Sequence, residues 1–173
     1  MAIEPIESQT ASAPLGRLQR FAMADAEQVA SWITERESYW LAPRSRPPLT
    51  ARSVISWGET EGERFMLLDN QTVPIGYGEI NRLALQTNVY WLGHLLVDPH
   101  RRGQGYGQLL TRLLIDQAFT FQAARRITLV VFPDNATAIA CYEAAGMHRD
   151  GFETHFLPSY RRRVRLVRMA IER

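Results

Sequence analysis

The residues best suited to chemistry lie in one stretch, Val97-Asp98-Pro99-His100-Arg101-Arg102-Gly103-Gln104-Gly105-Tyr106-Gly107-Gln108-Leu109-Leu110. Three glycines at alternate positions permit a tight turn with converging backbone N–H groups, because a residue without Cβ tolerates dihedrals closed to others. The run Tyr106 to Phe119 reads as a helix, whose first turn adds unpaired N–H donors and the positive end of a dipole. Such a turn holds an anion, most often a phosphate. Two nucleotide patterns fail here. A Walker-type loop requires a lysine after its last glycine, and all 20 basic residues of this chain are arginine. A dinucleotide fingerprint needs glycines at its first, third and sixth positions. Counting from Gly103 the sixth residue is Gln108, and from Gly105 it is Leu110.

The turn needs a strand before it and a helix behind it. Asn88 to Val97 supplies the strand, and Tyr106, Leu109, Leu110, Leu113, Leu114 and Phe119 give the helix an apolar face at helical spacing. Downstream, the bounded β-branched run Ile127 to Phe132 reads as a buried strand. Ala136 to Ala145 follows as a helix, with Gly146 a suitable C′ residue. Upstream, Leu15 to Phe21 reads as an opening strand, and Asp25 as the N-cap of a helix through Ala30 to Thr34. Glu35 to Pro48 reads as irregular, with Pro43, Pro47 and Pro48 against regular structure. Leu49 to Trp57 is a second helix with Thr50 as its cap, and Arg64 to Leu68 with Val73 to Leu83 form a hairpin around Asp69-Asn70-Gln71. Gly151 to Phe156 and Val164 to Ile171 form a final hairpin, joined by a solvated, arginine-rich turn over Tyr160 to Arg165. The predicted order is β-α-α-β-β-β-α-β-α-β-β.

The segment Arg102-x-x-Gly105-x-Gly107, after a strand and the turn Val97-Asp98-Pro99, resembles the pyrophosphate-binding motif of the GCN5-related N-acetyltransferases (GNAT), which hold the diphosphate of acetyl-coenzyme A (acetyl-CoA). A second family motif, a strand followed by Asn-x-x-Ala-x-x-x-Tyr and a helix closed by glycine, is matched by Asn135, Ala138, Tyr142 and Gly146. Met147 stands where the family usually has phenylalanine. The resemblance is close over residues 90 to 150 and elsewhere lies in the order of elements.

The resemblance implies an α/β acyl-CoA N-acyltransferase (GNAT) fold: a mixed central sheet splayed between its fourth and fifth strands, with flanking helices. It implies that Leu95, Leu96 and Val97 face the pantetheine arm. Arg102, Gly103, Gln104, Gly105, Tyr106, Gly107 and Gln108 would surround the pyrophosphate. Asn135 and Ala138 would touch the coenzyme, although Asn135 also suits a helix N-cap. The implied reaction is transfer of an acetyl group from acetyl-CoA to a primary amine, by direct attack in a ternary complex. One proton must leave the ammonium and one must reach the departing sulfur. Tyr142 matches the family's general acid, though the same residue also suits plain helix packing.

The general base is open. The glutamate that many members carry early in this strand falls near Trp91, which takes no proton. Glu79 is the best carboxylate on a central strand, and His94 offers the side chain that titrates nearest neutrality. A water chain is the third option. Strict alternation would put His94 on one face with Leu92 and Leu96, opposite Gly93, Leu95 and Val97. Tyr39, Trp40, Arg44 and Arg46 lie where relatives cap the acceptor cleft.

Composition bounds these readings. At 173 residues the chain suits one domain over residues 15–173, preceded by a short, poorly ordered lead-in over 1–14. No apolar run approaches the ~20 residues that span a bilayer. Cys141 is the single cysteine, which excludes an internal disulfide and cysteine-based metal clusters; no metal is expected, and a cytoplasmic setting is. A net charge of +2 does not argue for a nucleic-acid partner. The expected partners are acetyl-CoA and an amine acceptor, with a homodimer open, since dimers are common in the family. A non-catalytic acyl-CoA sensor with the same cleft is the alternative.

Overall fold

The computed structural model describes residues 13–42, 47–59 and 62–173. In chain order the elements are β1 (Gly16–Arg20), α1 (Ala26–Ser31), α2 (Glu35–Leu41), α3 (Ala51–Ser56), β2 (Gly62–Asp69), β3 (Pro74–Arg82), β4 (Val89–Val97), α4 (Tyr106–Phe121), β5 (Arg126–Val131), α5 (Ala136–Ala144), β6 (His148–Leu157) and β7 (Arg162–Glu172). The seven strands form one sheet in the order β1-β2-β3-β4-β5-β7-β6. Every neighbouring pair is antiparallel except β4 with β5. That parallel pair requires a crossover, and α4 supplies it.

Each face of the sheet buries its own apolar cluster. On one face Leu110, Leu114, Ile115 and Ala118 of α4 and Ile139 of α5 meet Ile80, Leu92, Ile127, Leu129, Val167 and Met169. On the other, Val29 of α1 and Val54 of α3 meet Met66, Leu68, Tyr77 and Leu96. The β2–β3 turn is held by buried Asp69, whose Oδ1 accepts from the backbone N–H of Gln71 and of Val73, each at 2.9 Å. Arg101, beside the glycine turn, donates to the other oxygen of Asp69 at 3.1 Å. The hairpin and the turn are thereby fixed to each other.

Three sequence expectations need correction. Glu35 to Pro48 is not wholly irregular, because residues 35–41 form α2. Thr34 caps it: its hydroxyl accepts from Glu37 N at 3.3 Å, and the Glu37 carboxylate accepts from Thr34 N at 2.8 Å. This reciprocal box outweighs prolines that come only after the helix. The first helix consequently ends at Ser31 and not at Thr34; Asp25 stands at its N-cap position as expected, with its carboxylate accepting from Ala22 N at 2.7 Å. The arginines of 162–165 belong to β7, and the turn is confined to Pro158–Tyr160 and Arg161, whose φ is +49°. Of the acceptor-cleft candidates, Arg44 and Arg46 lie outside the described residues, as do residues 1–12 of the expected lead-in.

Candidate active site

Strands β4 and β5 pair only at Val89–Arg126, Tyr90–Ile127 and Trp91–Thr128. Beyond Trp91 the two strands diverge, leaving the β5-facing edge of β4 unpaired from Leu92 to Val97. A cavity of about 640 Å³ opens in the gap, walled by β4, the start of α4, one side of α5 and part of α2.

The glycine turn closes one end of this cavity. Asp98 accepts from His100 N at 2.9 Å and starts the short turn Pro99–Arg101. Gly103 and Gly105 then take φ of +72° and +84°, a region that L side chains enter only with strain. Gly105 is the residue immediately before α4, so the first free N–H groups of a 16-residue helix face the cavity. Gly107 lies where a Cβ would come within 3.1 Å of Cys141 Sγ, which lets α4 and α5 approach closely. Gln108 and Arg112 tie the helices together by donating to Ala144 O at 2.8 and 3.1 Å.

Leu95, Leu96, Val97, Arg102, Gly103, Gly105, Tyr106, Gly107, Gln108, Asn135, Ala138 and Tyr142 all line this single cavity. Gln104 stands apart, its amide directed to His100 O at 3.4 Å. Asn135 both lines the cavity and caps α5, accepting from Ala138 N at 3.3 Å. Glu79 and His94 are not in the lining. Trp40, expected at the acceptor cleft, lines the cavity from α2; sequence reasoning missed its neighbours Glu37 and Leu41, together with Thr111 and Cys141. The Thr34-x-x-Glu37 spacing was the available signal for α2.

Arg102 is the principal cation of the lining. Its guanidinium donates twice to Val97 O, at 3.1 and 3.0 Å, and pairs with the Glu37 carboxylate. Tyr142 is half-buried on the α5 wall; burial, and secondarily the neighbouring Cys141, pushes its phenol above the ordinary range. Burial also pushes the Cys141 thiol up, against a hydrogen bond with Thr111, so this sulfur stays protonated and a poor nucleophile.

The profile of the acetyltransferase (GNAT) family matches residues 27–147, well over half of the chain. The chain belongs to the GNAT acetyltransferase family. An aminoglycoside N(6')-acetyltransferase type 1 of Klebsiella pneumoniae is 32% identical, across 47% of this chain and 45% of that protein. The chain spans less than half the length of the curated relatives it matches. Among solved structures, the spermidine N-acetyltransferase of Vibrio cholerae in complex with CoA and spermine superposes with a TM-score of 0.74 at 19% identity. That match covers 91% of this chain and 95% of the other. Aminoglycoside acetyltransferase AAC(6')-Ib in complex with coenzyme A and kanamycin gives 0.72 at 24% identity, covering 92% and 95%. These likenesses establish the GNAT fold with its splayed mixed sheet.

This GNAT chain departs from regular alternation at His94. Gly76 to Glu79 of β3 pair with β4 so that Gly78 alone opposes His94 and Leu95, a bulge in which His94 has φ +48°. Leu92 therefore packs with the α4 cluster and Leu96 with the opposite one, so the predicted shared face for Leu92, His94 and Leu96 does not exist. His94 Nδ1 lies 3.0 Å from Glu79 Oε2, off the direction of a hydrogen bond. Glu79, 1% exposed, also accepts from Tyr77 OH at 2.7 Å and from Asn81 Nδ2 at 3.3 Å.

Burial, and then the Glu79 carboxylate, pushes the Tyr77 phenol upward as well. Above the ordinary phenol value of 10.0, the unfolded chain releases two protons that folded Tyr77 and Tyr142 retain. Folding stability at those sites is thus full below pH 10.0 and falls as pH rises past it. Urea unfolding between about pH 9 and 11 should show this decline, and Tyr77→Phe or Tyr142→Phe should each flatten it.

Among the described residues no helix is long and apolar enough to cross a membrane, and no group of three or more His, Cys, Asp or Glu is placed to hold a metal ion.

Proposed function

We propose that the protein transfers an acetyl group from acetyl-CoA to a primary amine by direct attack in a ternary complex. The observation that carries this reading is the continuity of one cavity: unpaired strand edge on one side, anion-binding turn at one end, a protonated phenol on the wall. Its volume lies within the range of small-molecule sites. The relatives support an amine acceptor, since they include aminoglycoside and spermidine N-acetyltransferases.

Acetyl-CoA supplies an activated thioester carbonyl and a thiolate leaving group. The chain's contribution begins with orientation. Backbone groups of Leu95 to Val97 on the free edge of β4 pair with an extended arm as a further strand would. N–H groups of the turn and of the first turn of α4, with Arg102, hold the diphosphate. Fixing both reactants in one cleft removes much of the entropic barrier. Tyr142 then directs its phenol O–H at the departing sulfur. Cys141, held as a thiol, takes no covalent part.

The first test is binding. At a hundredfold excess over Kd, acetyl-CoA should raise Tm by about 5–10 °C. The second is release of free thiol from acetyl-CoA with a panel of primary amines that includes spermine and kanamycin. Amine-dependent release supports the transferase. Stabilisation with no release under any amine would leave a coenzyme-binding protein without turnover, and neither effect would remove the site.

A further inference from the structure

The acetyl-transfer reading leaves one proton unassigned, that of the attacking ammonium, and a buried polar cluster unused. We propose that His94 removes this proton through Nε2, with Glu79 and Trp57 as the residues that position its ring; the proposal rests on the acetyl-transfer reading.

The placement begins with the bulge in β4. The extra residue opposite Gly78 leaves His94 on the same side of the sheet as Gly93, facing Glu79, and restores Leu95 to the other side. Leu95 goes to the coenzyme cavity and His94 to the β3–α3 side. His94 is therefore one residue removed from the first β4 side chain that lines the cavity. Its ring lies flat on Trp57, with centroids 4.0 Å apart and planes 2° from parallel. Nδ1 has no solvent access and sits 3.0 Å from Glu79 Oε2, while the side chain as a whole is 18% exposed. The exposed part of the ring therefore excludes Nδ1, and the proton is assigned to Nε2.

Glu79 accepts from Tyr77 OH and from Asn81 Nδ2, contacts that fix its carboxylate beside Nδ1. A carboxylate opposite Nδ1 selects the tautomer with the proton on Nδ1 and the lone pair on Nε2, and it stabilises the imidazolium once formed. The 3.0 Å contact needs only a small ring rotation to become a hydrogen bond, and such bonds tighten when substrate binds. Among the described residues the ionisable groups around His94 are Glu79 on β3, Tyr77 beyond it on the same strand, and Arg64 of β2, which acts on Tyr77.

The proton balance closes. The amine nitrogen gives up two protons: Nε2 takes the first from the ammonium and passes it to solvent, and the freed lone pair then bonds to the acetyl carbon. As the carbon–sulfur bond breaks, the sulfur leaves hydrogen-bonded to the Tyr142 O–H, and the second N–H proton of the adduct ends on that sulfur by relay through the phenol, which stays neutral.

The decisive variant is His94→Gly. Glycine suits φ +48°, so the bulge and the fold are retained while an imidazole-sized space opens. With an amine found to release thiol, kcat/KM should fall about 10²-fold or more. Added imidazole should restore at least about tenfold of it. Stabilisation by acetyl-CoA should be unchanged. In Glu79→Gln kcat should fall about tenfold or more while KM for acetyl-CoA stays within about twofold, because the ring loses the carboxylate that orients it. Full activity in His94→Gly overturns the proposal. So does a loss that imidazole does not rescue together with an undiminished kcat in Glu79→Gln. Absence of thiol release by the unaltered protein with every amine overturns the acetyl-transfer reading itself, and that result is separable because it precedes any variant.

Discussion

Tyr142→Phe is expected to lower kcat about 10²-fold while changing the Kd for acetyl-CoA less than about twofold. The substitution removes one oxygen and keeps the ring that packs against the α4-face cluster, so fold and cleft shape should survive. The size follows from what the phenol can do. Burial keeps it protonated throughout the neutral range, so it is always available as a donor. The same shift makes it a weak acid toward a thiolate. Its main contribution is then a charge-assisted hydrogen bond to the departing sulfur, worth about 1.5–3 kcal/mol, or roughly 10- to 150-fold. A loss near 10⁴-fold would instead indicate complete proton transfer in the rate-limiting step. The pH profile of the unaltered enzyme should show no alkaline limb from Tyr142 below about pH 10. Single-turnover thiol release, set beside coenzyme binding by thermal shift, separates the two quantities. A Tyr142→Phe protein with undiminished turnover would remove the residue from chemistry.

What could be read from the sequence was governed by how strongly backbone geometry restricts residue type. Gly103, Gly105 and Gly146 take φ of +72°, +84° and +100°, so the turn before α4 and the end of α5 leave a visible signature. Strands β4 and β5 were legible for the same local reason, as apolar β-branched runs. Their divergence after Trp91 was not, and it was anticipated only from the family resemblance. The bulge at His94 was hidden altogether, because a histidine at φ +48° gives no local sign and a period of two is then extrapolated across it. Helix α2 was misread through its downstream prolines, although Thr34 and Glu37 carried the opposite message. The insertion of β7 between β5 and β6 depends on long-range pairing that no local pattern encodes. Contacts between distant elements were the least accessible, and the pairing of Glu37 with Arg102 is the one with most consequence for the site.

That pairing places a carboxylate on the same guanidinium that the coenzyme's diphosphate requires. Arg102→Ala should weaken acetyl-CoA binding about 10- to 10²-fold, the loss of a charge-assisted contact. Part of that loss is local, since Arg102 also holds Val97 O at the end of β4. Glu37→Gln should act in the opposite direction. Glutamine keeps a carbonyl oxygen for Thr34 N, so α2 retains its cap, yet it no longer competes as an anion. The pair is partly exposed, Glu37 at 12% and Arg102 at 40%, so the gain is modest, about two- to fivefold in Kd, and should shrink at high salt. The double variant discriminates between two routes for this effect. If Glu37 acts through Arg102, removing its charge gives no benefit once Arg102 is alanine. If Glu37 instead repels the diphosphate directly, the same two- to fivefold gain persists in the Arg102→Ala background. The shared guanidinium makes the first outcome the expected one, and coenzyme titrations of the four proteins at two salt concentrations measure it.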